Sequence, residues 1–110
     1  MESDKGGDDT YVLNGSGLGE GVNNGLALLV ATAGHNTYNS SYGGAYGQSV
    51  VFSSSGPRTE IPTFALFLDL STDSSYPASG PMGNKKSWTK NSGALYGAGL
   101  SLEGVTVRWE

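Results

Sequence analysis

The sequence predicts an all-β fold: one small β-sandwich or jelly-roll-like domain with long glycine-, serine- and tyrosine-rich loops. Three observations carry that expectation. Residues 64–70 and 105–109 alternate in hydrophobicity, glycine-containing turns interrupt the chain at short intervals, and no segment sustains a helical period. At 110 residues the chain is long enough for one hydrophobic core and too short for two. Leu, Ile, Val and Phe together number 22, so that core is thin, and 18 glycines add ordering entropy that the core must offset. A net charge of -4 and a charged fraction of 15% are too small to keep the chain unfolded by self-repulsion.

Residues 1–9 are acidic, glycine-containing and without apolar side chains beyond Met1, which predicts a flexible tail ahead of a single β-rich domain over residues 10–110. Residues 10–13 (Thr-Tyr-Val-Leu) are β-prone and closed by Asn14-Gly15, a dipeptide that supplies positive φ for a tight turn. Residues 15–21 are glycine-dense, but Glu20 stands where the third glycine of a dinucleotide loop belongs and no Gly-Lys-Ser/Thr follows. A bulged connection is the reading.

Residues 26–33 are apolar on both faces and fit either a strand buried on both sides or a short helix capped by Gly34. Their length, their Asn-Gly and Gly brackets and their β-rich neighbours favour the strand. Residues 48–53 predict a further strand, punctuated by Gly56-Pro57. Residues 61–70 predict the main core strand, with Phe64, Leu66, Leu68 and Leu70 on one side and Ala65, Phe67 and Asp69 on the other; Pro62 fits only at its start or on an edge. Residues 71–92 show no period and are long for a passive loop. Residues 95–96 and 100–103 are short β-prone pieces, and 105–109 place Val105, Val107 and Trp109 inward.

An acidic balance, with pI near 4.7, argues against nucleic acid and anionic membranes as partners, since both require a basic footprint. The longest apolar run is far too short for membrane insertion, and the first residues contain no apolar leader, so no export signal is expected in the chain as given. Zero cysteines exclude a disulfide framework and thiolate metal sites.

Catalysis is poorly provided for: the single histidine, His35, reads as a loop residue at a strand exit, and no Gly-x-Ser-x-Gly elbow occurs. No cofactor is implied. Asp69 and Asp73 alternate with serine and threonine as in the first half of a calcium loop, but Gly80 stands in place of the bidentate Glu, which leaves an Asx/Ser turn as the better reading. Tyr38, Tyr42 and Tyr46 lie in a segment of Ser, Asn and Gly with the composition of a binding loop, and they equally fit rings that roof a thin core. Lys85 and Lys86 flank Trp88, a set suited to stacking on a sugar beside a charge, or to a solvated loop with the indole folded inward. Tyr76 completes the tentative ligand-binding set.

These features lead to the expectation of a non-catalytic structural or surface protein, a subunit of a larger assembly such as a virion decoration, tail or fibre component, or a pilin-like subunit. Its partners would be copies of itself or other subunits, and its place a virion or cell-surface assembly. The alternative is a lectin-like module that binds glycan through the loop tyrosines and Trp88.

Overall fold

The computed structural model describes residues 2–13, 17–40, 46–51, 55–71, 74–78, 82–92 and 94–102. Nine strands are placed among them: β1 (Glu2–Asp4), β2 (Thr10–Leu13), β3 (Gly21–Val22), β4 (Leu26–Ala31), β5 (Thr37–Ser40), β6 (Ser49–Val50), β7 (Thr63–Asp69), β8 (Ser87–Ser92) and β9 (Leu95–Ser101). The only helical piece described is a 3-10 turn at Pro57–Thr59. The chain is all-β.

The strands form a five-stranded sheet, β1-β4-β7-β9-β8, and two two-stranded sheets, β2-β5 and β3-β6. Every pairing is parallel except β8 with β9. A sandwich or jelly roll is built from antiparallel strands, so the ladders describe another all-β architecture. Strands β1, β2 and β3 form one coil; β4, β5 and β6 lie directly above them as a second; β7 and an isolated bridge from Thr37 to Ser75 continue a third; β9 begins a fourth. This is a short parallel β-solenoid. Parallel sheets need both faces covered or otherwise accounted for, and here the coil covers one face by winding the chain around it.

The winding rests on an internal repeat. Thr10 pairs with Thr37 and Gly21 with Ser49. That register aligns Gly7-Asp8-Asp9-Thr10-Tyr11 with Gly34-His35-Asn36-Thr37-Tyr38, and Leu18-Gly19-Glu20-Gly21-Val22 with Tyr46-Gly47-Gln48-Ser49-Val50. Backbone conformation repeats with it: Leu18 and Tyr46 have φ of 48 and 55, and the glycines that follow both have φ of 79. At Gly47 two constraints coincide, because a Cβ there would overlap the Ala98 carbonyl as well as face an unfavourable positive φ. Glycine at this corner lets opposite walls of the coil touch backbone to backbone, and this narrows one side of the interior.

The other side holds the core. Tyr11, Tyr38 and Tyr76 stack as successive rungs, with centroids 5.3 and 5.1 Å apart. Phe67 meets Tyr38 and Tyr46 edge to face at 5.0 and 5.6 Å. Stacking identical residues in register is what a solenoid does with a repeat, and offset and edge-to-face rings each add to the area they bury. Trp88 of β8 closes the stack: its Nε1 donates to the Tyr46 carbonyl at 2.9 Å, and its indole occupies the space that a side chain at Gly99 would fill.

Two expectations are corrected here. Residues 1–9, expected as a flexible tail, include β1, whose backbone pairs with Leu29, Val30 and Ala31; Asp8 and Asp9 are bonded to the second coil as well. Hydrogen bonding from one coil to the next orders a segment with no core of its own. Residues 71–92, read as aperiodic, contain β8, which the pattern Ser-Trp-Thr-Lys-Asn-Ser conceals because only Trp88 is apolar. The turn at Asn14-Gly15 and the alternation over residues 105–109 lie outside the described residues.

Candidate functional site

β7 alternates strictly, and the structure shows which of its two sides is enclosed. Thr63, Ala65, Phe67 and Asp69 point inward and are buried, while Phe64 and Leu66 are exposed and Leu68 is half-buried. Period-2 reasoning finds two faces but cannot say which one the chain encloses when both are apolar. The winding decides it: the aromatic stack lies on the Phe67 side.

In-register parallel pairing copies that outward face across three strands. Leu26, Phe64 and Tyr96 form one row; Leu28, Leu66 and Ala98 a second; Val30, Leu68 and Leu100 a third. All nine positions are apolar or aromatic and none carries a charge. Exposure reaches 80% at Leu26, 48% at Phe64, 46% at Tyr96 and 37% at Leu66. Phe64 and Tyr96 stack at 5.3 Å with planes 17° apart. Polar residues flank the rows: exposed Ser3 of β1 lies beside Val30, and exposed Ser87 and Thr89 of β8 lie opposite Leu100 and Ala98. A contiguous apolar patch with a polar rim is the form of an interaction surface rather than of ordinary protein exterior.

The residues singled out from sequence go elsewhere. Tyr38 and Tyr46 are each 2% exposed and belong to the core, so their rings offer no platform to a ligand. Tyr76 and Trp88 are partly buried against them. Lys85 and Lys86 are exposed, and Tyr42 lies outside the described residues. Tyr38 and Tyr46 thus supply core rings, and Gly47 beside Tyr46 the close backbone approach.

Asp69 is fully buried at the inner end of β7. Its Oδ1 accepts from the Ser71 amide at 2.9 Å and from the Ser71 hydroxyl; its Oδ2 accepts from the Tyr76 hydroxyl at 2.7 Å. Ser71 in turn accepts from the Asn36 side-chain amide at 3.2 Å and meets Ser74 at 2.8 Å. A carboxylate enclosed by N–H and O–H donors ties coils two and three together, and its lone pairs are turned to those donors rather than to a cation. The calcium reading therefore finds no support at Asp69, and Asp73 lies outside the described residues. Among the described residues no group of three or more acidic, histidine or cysteine side chains is placed to hold a metal ion. Burial pushes the Tyr38 and Tyr76 hydroxyls well above the ordinary tyrosine range, and the Asp69 carboxylate pushes each further; at Tyr76 the Ser101 hydroxyl partly opposes this.

His35 is exposed, with Nε2 3.3 Å from the Ser75 hydroxyl. The Asp8 carboxylate accepts from the His35 backbone amide at 2.8 Å and does not orient its ring. A nucleophile needs a base held by a third group, and the exposed pair has its third group bonded to the wrong atom.

Family models, curated proteins and solved structures provide no match to this chain. The functional reading therefore rests on the molecule's own surfaces. No helix among the described residues is long and apolar enough to cross a membrane.

Proposed function

We propose that this chain is a non-catalytic structural subunit of a larger assembly, of the virion decoration, tail, fibre or pilin-like kind, and that it joins its partners through the outer face of the five-stranded sheet. One observation carries the reading: three in-register rows of uncharged apolar side chains, with Leu26, Phe64, Leu66 and Tyr96 exposed and the other five half-buried, cover one face of a sheet whose other face is filled. Leaving such a face wet forgoes about 25 cal/mol per Å² of apolar surface, and a partner that covers it recovers that amount. The parallel ladder also holds the rows rigid, so little ordering is required on contact. Hydroxyl-radical footprinting tests the reading. Phe64 and Tyr96 should oxidise readily in the dilute isolated chain and be protected in the native particulate fraction; equal rates in both would refute it.

A lectin-like role is the second reading, and the observation in its favour is the exposed Phe64–Tyr96 stack, not the loop tyrosines. Parallel stacked rings leave one outer ring face free, and the apolar face of a pyranose can lie against such a face. A glycan array would support it through hits that vanish in Tyr96→Ala, and an array without hits would remove it.

A further inference from the structure

The outer face has properties that select its occupant. It is uncharged on a molecule of net charge -4, so two copies of it can meet without the repulsion that other surfaces of the chain would bring together. It is also regular: rows two residues apart are separated by roughly 6.6 Å, leaving grooves into which the rows of an identical face can fit. Strands of three, six, seven, seven and six residues, at about 3.3 Å per residue and about 4.8 Å between strands, give a face of roughly 460 Å², below the roughly 800 Å² that each partner gives to a standard interface. A face of that size suits a weak pair that a multi-subunit assembly reinforces, not a tight isolated complex.

We infer that this face packs against the same face of a second copy of the chain, about a two-fold axis passing near Leu66. The inference rests on the proposed role of the face in assembly and goes further by naming the occupant and the geometry. Leu66 lies in the middle row on β7, the central strand of the five, so a two-fold contact of the whole face brings Leu66 opposite its own counterpart. Polar Ser3, Ser87 and Thr89 then fall at the margin, where water still reaches them.

The chain has no cysteine, so single-cysteine variants report contacts without background. Leu66→Cys should be joined into a dimer by a short bis-maleimide cross-linker, which spans the gap of about 10 Å between packed sheets, at least ten times faster than Val12→Cys, an exposed position on a different wall of the coil. Adding Phe64→Lys to Leu66→Cys should bring the rate down to the Val12→Cys level. Equal rates at positions 66 and 12 would overturn the inference. So would a wild-type chain that light scattering finds monomeric up to several hundred micromolar, or a monomer that binds phosphatidylcholine vesicles through this face. Should the cross-linking test fail while Phe64 and Tyr96 remain protected in native particles, a different subunit covers the face: the second copy is refuted and the assembly role stands. Failure of both removes both.

Discussion

The two faces of β7 both carry apolar side chains and end in opposite environments. Inward, Ala65, Phe67 and Asp69 meet the tyrosine stack and the Ser71–Asn36 hydrogen bonds; outward, Phe64, Leu66 and Leu68 meet neighbours of their own row and then solvent. Hydrophobicity alone does not separate them. The inner face is varied in size and polarity because it must fill a closed space, whereas the outer face repeats one kind of side chain because it lies flat.

Substitutions on the two faces should separate accordingly. The largest effect is expected from Phe67→Ala, which removes a ring that touches Tyr38, Tyr46, Tyr76 and Trp88; chemical denaturation should show a loss of about 3–5 kcal/mol. Asp69→Ala should follow, at about 2–3 kcal/mol in the same measurement, because it strands the buried Ser71 and Tyr76 donors. Alkaline pH acts on the same interior. The Tyr38 and Tyr76 hydroxyls have folded pKa values raised above the unfolded value, so their contribution is complete below about pH 10 and is lost as pH rises beyond it, where the unfolded chain releases protons that the folded one keeps. Spectrophotometric titration should show these two phenols ionising together with unfolding rather than before it. The smallest effect on folding is expected from Leu66→Lys, within about 0.5 kcal/mol of the parent, because the outer side chain is exposed in the single chain. A loss there as large as that of Phe67→Ala would erase the distinction between the faces.

The sequence discloses the strand-forming residues better than their arrangement. β2, β4 and β7 stand where β-propensity, bracketing turn residues and, for β7, alternation place them, because those signals are local. The coil is not local: Asp9 bonds Asn36 across 27 residues, and no window of strand length contains that partnership. A signal did exist in the paired Gly-x-x-Thr-Tyr segments at residues 7–11 and 34–38, which internal comparison would reveal; with only two clear copies and wider spacing afterwards, it is easily read as loop composition. Tyr38 and Tyr46 take the second of the two roles their surroundings in the sequence allow, rings within the core. Phe64 and Tyr96 are surface groups that alternation does not mark, because it gives a strand two faces and the direction of winding decides which one is enclosed.

Thiol reactivity at neighbouring positions of β7 tests the inside–outside assignment most directly. At sub-micromolar concentration, where pairing of copies is negligible, Leu66→Cys should react with an aromatic disulfide reagent at close to the rate of an unfolded thiol, and Ala65→Cys should react at least a hundredfold more slowly, released only as the coil opens. Faster labelling at position 65 than at 66 would contradict the account.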